Sequence, residues 1–184
     1  MSISTRRGDD GTTKLYHGPR VSKAGPRLAG GGDLDELGAQ LGLARALLGA
    51  DPLAARLEAL QRALFVAGAE VSTPPAARAR LAERLTPAHL DDLDAQVAAL
   101  EAEPGMLDGW SLPGATVPGA ALDVARAVCR RAERGLVALC AAEDDAFPVL
   151  SPWLNRLSDL LWLYGRWYEL RHGADSGLKA DRGW

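Results

Sequence analysis

The sequence predicts an all-α fold, an antiparallel five-helix bundle preceded by an irregular N-terminal arm. Among its 184 residues, 33 are Ala and 30 are Leu, whereas only nine are Val and one is Ile. Strong helix formers therefore outnumber the β-branched aliphatic residues that favour strands. Apolar side chains also recur at alternating spacings of three and four along five segments, and the connections between these segments contain Gly and Pro. Short connections favour antiparallel neighbours in a bundle.

The first three helices have recognisable starts. Asp33 as the N-cap, with Glu36 three positions later, has the spacing of a capping box. The second helix begins at Pro52, because proline at the first helical position needs no amide donor. Residues 72–80 are expected to form a loop or linker, and the third helix begins at Pro87.

The fourth and fifth helices are predicted over residues 118–142 and 151–171. The chain therefore divides into an arm (1–32), a bundle (33–171) and a C-terminal tail (172–184) that we expect to be mobile. The loop before the fourth helix carries Trp110 and Leu112 although Gly and Pro interrupt it. Because such loops are usually polar, we expect this one to pack against another surface.

Charge is distributed unevenly along the chain. Residues 1–32 hold six basic and two acidic side chains, a balance of +4, so residues 33–184 carry −7. With 24% charged and 47% hydrophobic residues, the composition is that of a globular domain rather than a disordered or membrane-embedded chain. No apolar run approaches the roughly 20 residues that span a bilayer, and the polar N-terminus lacks the apolar segment of a secretory signal.

The two cysteines indicate a reducing compartment. Cys129 and Cys140 lie in one predicted helix, about 16 Å apart along its axis, which is too far for a disulfide. Unpaired thiols suit the cytoplasm, and we expect the protein to be cytoplasmic. The three histidines are too scattered to form a metal site with them, so no metal ligands are predicted.

Basic residues on the fourth helix could bind a polyanion. Its apolar residues gather on one face, while Arg126, Arg130, Glu133 and Arg134 gather on another. Guanidinium groups match phosphate oxygens bidentately. A solvated amphipathic face explains the same spacing, and periodicity alone favours that interpretation.

The fifth helix carries a polar stripe of Asn155, Asp159, Trp162 and Arg166 on an otherwise apolar helix. Polar groups buried there need partners from another helix or another subunit. A structural network, such as Asp159 with Arg166 or Arg156, and a ligand site explain the stripe equally well.

The arm contains two glycines three positions apart, Gly8 and Gly11, flanked by threonines and basic side chains. Backbone amides in such a segment can converge on an anion. The segment is not a Walker A loop, since it lacks the Gly-Lys-Ser/Thr ending and follows no strand. A flexible basic tail that touches nucleic acid explains the composition equally well.

Six segments, taken together and in order, resemble the trimeric ATP:cob(I)alamin adenosyltransferases over roughly residues 3–170. They are Thr-Arg-Arg-Gly-Asp-Asp-Gly-Thr-Thr at 5–13, Arg-Val-Ser-Lys at 20–23, Asp-Leu-Asp-Glu-Leu at 33–37, Trp-Ser-Leu-Pro-Gly at 110–114, Val-Ala-Arg-Ala-Val-Cys-Arg-Arg-Ala-Glu-Arg at 124–134 and Leu-Asn-Arg-Leu-Ser-Asp at 154–159.

The resemblance implies a ferritin-like helical bundle that forms a homotrimer with active sites between subunits. The implied reaction transfers the 5′-deoxyadenosyl group of ATP to the cobalt of cob(I)alamin, releasing triphosphate and forming adenosylcobalamin. ATP, Mg²⁺ and the corrinoid, as cob(II)alamin and cob(I)alamin, are the implied ligands. Transient contacts with a cobalamin reductase and an adenosylcobalamin-dependent acceptor enzyme are implied, with no role for nucleic acid or a membrane.

The resemblance also implies the site residues. The triphosphate is assigned to the arm and the arginines of the fourth helix, and further nucleotide contacts to the fourth and fifth helices. The corrin is assigned to the aromatic residue before the Leu-Pro-Gly turn, which displaces the lower axial ligand of the cobalt. An arginine of the fourth helix would pair with an aspartate across the subunit boundary. The arm residues are Thr5, Arg6, Arg7, Gly8, Thr13, Lys14 and Lys23; the helix residues are Arg130, Arg131, Glu133, Arg134 and Asn155; and the implied catalytic set is Trp110, Arg130, Arg126 and Asp35.

Other interpretations follow from departures from the family pattern. Ser4, Ala115, Asp123 and the run Gly30-Gly31-Gly32 stand where the family often has other residues. A non-catalytic ATP- or corrinoid-binding paralogue, acting in delivery or sensing, is the alternative function, and a purely structural helical oligomer is a third. Trp110 could also plug the end of the bundle.

Overall fold

The computed structural model describes residues 4, 6–174 and 176–177, and within them it confirms the predicted five-helix bundle. None of the helices in this part of the chain is long and apolar enough to cross a membrane. The helices are α1 (Pro26–Leu48), α2 (Leu53–Val71), α3 (Pro87–Glu101), α4 (Val117–Glu143) and α5 (Leu150–Arg171).

α4 lies in the middle of the bundle, between α1 and α5. α1 packs against α2 and α4, α4 packs against α5, and α5 packs against α3. The apolar stripe predicted for the fourth helix is buried here, and each fully buried leucine contributes about 1.5–3 kcal/mol relative to an exposed one. The buried residues of that stripe are Leu122, Ala125, Cys129, Ala132, Leu136 and Leu139.

The predicted start of the first helix is wrong. α1 begins at Pro26 rather than at Asp33, and the glycine run lies inside the helix. Tertiary packing overrides the poor helix propensity of glycine, since Gly30 is buried and α1 packs against α2 and α4. Asp33 and Glu36 do not form a capping box. Both carboxylates instead pair with Arg131 of α4.

The arm is more regular than predicted. β1 (Thr12–Lys14) and β2 (Arg20–Ser22) form a two-stranded antiparallel sheet in which Thr13 faces Val21. The amide of Tyr16 donates to the carbonyl of Ser72 at 2.9 Å, which fixes the hairpin to the C-terminal end of α2. The basic residues of the arm are thereby attached to one end of the bundle.

The remaining helix boundaries lie within a few residues of the predictions. The third helix has a capping box formed by Thr86 and His89, and the predicted linker at 72–80 contains a short 3-10 helix, Pro75–Arg80. Both cysteines lie in α4 as predicted. Burial raises the pKa of Cys129, and its thiol donates to the carbonyl of Leu154 at 3.2 Å. This thiol is therefore a protonated part of the core.

A buried ion cluster joins three parts of the chain. The carboxylate of Asp145 accepts hydrogen bonds from Arg27 at the start of α1 and from Arg78 of the 3-10 helix. Arg27 also pairs with Glu143 at 2.7 Å, and the Arg78 guanidinium lies 4.0 Å from the centre of the Phe147 ring. This ion cluster ties the helix that follows the arm to the connection between α4 and α5.

Candidate active site

A cavity of about 390 Å³ lies between α4, α5 and the loop that precedes α4. Two tryptophans, two arginines and two carboxylates contribute to its lining, so apolar ring faces and charged groups meet in one space. This cavity, which we call the arginine cavity, is lined by Trp110, Ser111, Pro113, Asp123, Arg126, Arg130, Ser158, Asp159 and Trp162.

Trp110 is 83% exposed at the edge of the arginine cavity. The described part of this chain does not supply the surface against which this side chain was expected to pack, and the exposure argues against a plug in the bundle. The loop backbone is nevertheless fixed, because the Leu112 amide donates to the Ser176 carbonyl at 2.7 Å and Ser111 forms a β-bridge with Gly177. A fixed backbone with an exposed indole offers an apolar surface to a flat ligand.

Arg130 lines the same cavity and is exposed. Within the described part of the chain, no carboxylate pairs with its guanidinium, whose charge is therefore available to an anionic ligand. Arg126 is more restrained, since its Nε lies 3.6 Å from Oδ1 of Asp123. The arginine-rich segment of α4 thus places one free and one restrained guanidinium at the cavity.

The remaining residues assigned to the nucleotide have different surroundings. The side-chain amide of Asn155 donates to Glu133 across the α4–α5 contact at 3.1 Å, so these two side chains lie together. Arg134 donates to the Arg130 carbonyl at 3.0 Å. Arg131 pairs with Asp33 and Glu36 of α1, and its guanidinium is thereby held against α1 at the surface of the bundle.

The polar stripe of α5 combines structural pairs with cavity lining. Asp159 and Trp162 line the arginine cavity, and Asp159 also lies 3.7 Å from Arg156, the pair considered in the sequence analysis. Arg166 pairs with Asp123 of α4 at 3.0 Å rather than with Asp159. One partner therefore comes from another helix, and a second, Glu169, comes from α5 itself.

Side-chain contacts to carbonyls shape the basic loop of the arm. Arg20 donates to the carbonyl of Arg7 at 2.5 Å, and Lys23 Nζ donates to that of Gly8 at 2.8 Å. A Cβ on Gly8 would lie 2.9 Å from this Nζ and 3.1 Å from the Thr12 carbonyl, so the lysine end would have to move to admit a side chain. Arg6 has a φ of 56°, in the left-handed region. Thr5 lies outside the described residues.

Sequence reasoning did not assign Arg20 to the site. It pairs with Asp10, whose pKa is lowered by hydrogen bonds from Thr12 and by Arg20 itself. Lys14 stands opposite Arg20 in the β1–β2 register, while Thr13 lies in the same strand. The strand register would have identified Arg20, but the two three-residue strands are too short to recognise from the sequence.

In the described part of the chain, the arm does not reach the arginine cavity, since no described arm residue lines it. Arg27, just after the arm, bonds to Glu143 at the C-terminal end of α4. Arg130 lies 13 positions earlier in that helix, which corresponds to about 20 Å along its axis. The two sets of basic residues lie at different places on a single subunit.

A second cavity of about 640 Å³ opens on the surface of α1 and α2. It is lined by Asp35, Tyr16 of the arm and Phe65, which is 87% exposed, and it shares no residue with the arginine cavity. We call it the α1–α2 groove. Asp35 and Arg126, the predicted pair, therefore lie on separate surfaces of one chain.

Comparison with known proteins identifies the family. The model of the family described as cobalamin adenosyltransferase matches residues 3–168. The chain belongs to this family.

Individual cobalamin adenosyltransferases match most of the chain. The corrinoid adenosyltransferase of Mycobacterium leprae is 39% identical over 170 residues, which cover 89% of each chain. The cobalamin adenosyltransferase of Cupriavidus metallidurans is 42% identical over 167 residues, covering 89% of this chain and 86% of that one. The chain spans about half, 49%, of the corrinoid adenosyltransferase PduO of Salmonella typhimurium, which is 37% identical over 166 residues, 90% of this chain.

The fold matches a solved adenosyltransferase. A variant of the PduO-type ATP:corrinoid adenosyltransferase from Lactobacillus reuteri, complexed with cobalamin and ATP, superposes with a TM-score of 0.88 at 29% identity. The match covers 98% of this chain and 97% of that chain.

Proposed function

We propose that this chain transfers the 5′-deoxyadenosyl group of ATP to the cobalt of a reduced corrinoid. The observation that carries the proposal is the arginine cavity, where an exposed indole and an unpaired guanidinium meet in a member of the cobalamin adenosyltransferase family. The indole of Trp110 supplies an apolar face for the corrin ring. The guanidinium of Arg130 supplies positive charge for the nucleotide.

The charges of the site suit the bond changes of this reaction. The Co(I) electron pair attacks C5′ of ATP, the Co–C bond forms, and the C5′–O bond breaks with its electrons leaving on triphosphate. Negative charge therefore gathers on the leaving group, where Arg130 and the basic arm stabilise it. The step transfers no proton, so it needs no general base.

Mg²⁺ enters this proposal as part of the MgATP substrate. Among the described residues, no group of three or more His, Cys, Asp or Glu side chains is placed to hold a metal ion. Mg²⁺ usually binds through substrate phosphates, water and one or two carboxylates, so it needs no protein cage. The described residues do not fit a resident metal, and no step depends on one.

A homotrimer explains why the functional residues lie on separate surfaces of one chain. The α1–α2 groove carries the arm residue Tyr16, Asp35 and the exposed Phe65, whereas Arg126 and Arg130 line the arginine cavity. If the groove of each subunit docks on the arginine cavity of the next, this heterologous contact closes into a ring. The arm of one subunit then reaches the nucleotide held by its neighbour, and Asp35 reaches Arg126.

The trimer predicts that Asp35→Asn weakens both assembly and turnover. Because Asp35 is exposed in the single chain, its removal leaves the helices intact but leaves the neighbour's Arg126 without a partner at the interface. Sedimentation velocity over a range of protein concentrations measures the change. The Glu103→Gln variant removes an exposed acid from a different surface and should sediment as wild type. A trimer of unchanged stability in Asp35→Asn would contradict the assignment.

Turnover itself tests the proposed function. Purified protein is incubated with MgATP and chemically reduced cob(I)alamin, and adenosylcobalamin absorbance and released triphosphate are quantified together. Equal amounts of the two products are expected. Binding of both ligands without triphosphate release would instead identify a non-catalytic paralogue that delivers or senses the cofactor. Contacts with a reductase and an acceptor enzyme, and a cytoplasmic location, stay predictions.

Trp110→Ala should abolish the spectroscopic signature of four-coordinate Co(II) corrinoid in the ATP-bound protein. An 83% exposed indole can press on the lower corrin face and exclude the axial ligand, whereas a methyl group cannot. Magnetic circular dichroism of the Co(II) complex measures the signature. Trp110→Phe keeps an aromatic face and should retain it. An unchanged spectrum in Trp110→Ala would show that the ring only packs.

A further inference from the structure

A row of four alternating charges runs from the arginine cavity into the contact between α4 and α5. Arg126 lies 3.6 Å from Oδ1 of Asp123, and Oδ2 of Asp123 accepts a hydrogen bond from Nη2 of Arg166 at 3.0 Å. The same Nη2 donates to Oε1 of Glu169 at 3.0 Å. We call these four residues the charge row.

Three of the four side chains are almost fully buried. Arg166 is 5% exposed, Asp123 is 7% exposed and Glu169 is 1% exposed, whereas Arg126 is 32% exposed where it lines the cavity. Two carboxylates thus flank one buried guanidinium and leave an excess negative charge. Arg126 supplies the positive charge that balances it.

The backbone of α4 is adapted to the charge row. Gly119, Asp123 and Arg126 follow one another at spacings of four and three, so they share a face of the helix. A Cβ on residue 119 would collide with Oε1 of Glu169. The glycine therefore lets the Glu169 carboxylate lie against the first turn of α4, beneath Arg166.

Stability alone explains the charge row poorly. Within the described residues, Nε and Nη1 of Arg166 and Oε2 of Glu169 are buried without a hydrogen-bond partner. A buried ion pair is often no more stabilising than apolar side chains of the same volume, and unpaired buried atoms lower its value further. Because one end of the charge row, Arg126, lines the arginine cavity, a role in the candidate active site explains the row better.

We propose that Asp123 is a positioning residue for Arg126. Nε of Arg126 is buried and lacks a hydrogen-bond partner in the described chain, and the Asp123 carboxylate is the anion beside it. Attraction on this side restrains the guanidinium while its two terminal nitrogens stay available to the neighbouring subunit's carboxylate. Arg166 donates to Asp123 from the side away from Arg126 and so holds its carboxylate in place. The inference rests on the proposed function, in which Arg126 acts at the subunit boundary.

Two matched variants distinguish a positioning role of Asp123 from a purely structural role as a partner of Arg166. Asp123→Asn and Glu169→Gln each remove one negative charge from the same Arg166 nitrogen at the same 3.0 Å distance. Both should lower the melting temperature. Only Asp123 adjoins Arg126, so only Asp123→Asn should lower kcat, by about 10- to 100-fold, as expected when a site group is displaced by about 1 Å.

A second measurement reports whether the Arg126 side chain is held in place, and it does not require turnover. Hydrogen exchange of the Arg126 Nε–H, followed by NMR in ¹⁵N-arginine-labelled protein and assigned with Arg126→Lys, should be slow in wild type and in Glu169→Gln. It should be fast in Asp123→Asn. Because this signal is independent of activity, an inactive wild-type protein would overturn the proposed function but not the positioning.

The two results together decide the inference. In the Arg126→Ala background, Asp123→Asn should have no further effect on kcat, because the residue through which it acts is gone. Equal losses of kcat and of exchange protection in Asp123→Asn and Glu169→Gln would overturn the positioning role. So would an Asp123→Asn variant that keeps both.

Discussion

Replacing Arg130 with alanine lowers kcat by about 10²- to 10³-fold, the effect of removing one donor that stabilises charge developing in a transition state. The expected loss follows from the position of this arginine. Its guanidinium lines the arginine cavity beside Trp110, and no carboxylate in the described chain neutralises it. Its full charge is therefore available to the triphosphate as the C5′–O bond breaks.

The bundle should stay folded in the Arg130→Ala variant. The side chain is exposed, and its truncation removes no ion pair within the described residues. Circular dichroism and a thermal melt check the fold, while triphosphate release at several ATP concentrations separates kcat from KM. Arg62→Ala on α2, which removes an exposed arginine paired only with Glu58, is the matched control.

A lysine at position 130 separates charge from geometry. Arg130→Lys retains the positive charge but loses the planar fork that contacts two phosphate oxygens at once, so its kcat should lie between wild type and the alanine variant. Wild-type kinetics in Arg130→Ala would remove this residue from the site. The nucleotide contact would then have to come from the arm or from Arg134.

The helical bundle could be predicted because the apolar spacing that indicates a helix involves residues close together in the sequence. The apolar spacing of α4, for example, follows directly from 3.6 residues per turn, and Leu122 and Leu136 are buried as that spacing requires. The start of α1 could not be predicted in the same way. Gly30 breaks the local pattern, and the helices against which α1 packs, α2 and α4, come later in the chain.

The candidate site likewise has features that the sequence predicts and features that it does not. Family motifs pointed to Trp110 and Arg130, which the structure places at one cavity. These motifs do not indicate that the Trp110 indole is exposed or that the Arg130 guanidinium lacks a carboxylate partner in the described chain. Both properties depend on the surrounding structure. Arg20 was missed, since its contacts to Arg7 and Asp10 depend on strand register.

The sequence also does not predict the ion cluster around Asp145. Arg27 and Asp145 are separated by 118 positions, and no local spacing connects them. Asp145 itself looks like one of several acids after α4. Only the packing of α1 against α4 brings its carboxylate between two arginines, and this long-range contact gives the residue its importance for stability.

Asp145→Asn should lower the free energy of unfolding by about 3–5 kcal/mol, the usual effect of removing one partner from a buried ion pair. The substitution keeps the size of the side chain but leaves Arg27 and Arg78, both almost fully buried, without their shared carboxylate. Urea unfolding at neutral pH measures the loss. Glu143→Gln is the matched control, because Glu143 pairs with the same Arg27 but is 35% exposed. It should cost no more than about 1 kcal/mol.

The contribution of Asp145 to the free energy of unfolding should also depend on pH. Burial opposes ionisation of Asp145, but hydrogen bonds from Arg78 and Arg27 outweigh burial and lower its pKa below 3.8. The stabilisation is therefore fully present at neutral pH, begins to fall as the unfolded chain takes up a proton near pH 4, and is lost once the pH passes below the folded-state pKa. The difference in unfolding free energy between wild type and Asp145→Asn should narrow steadily below about pH 4. A difference that stays constant on acidification would show that packing of the side chain, rather than its charge, holds α1 to the connection between α4 and α5.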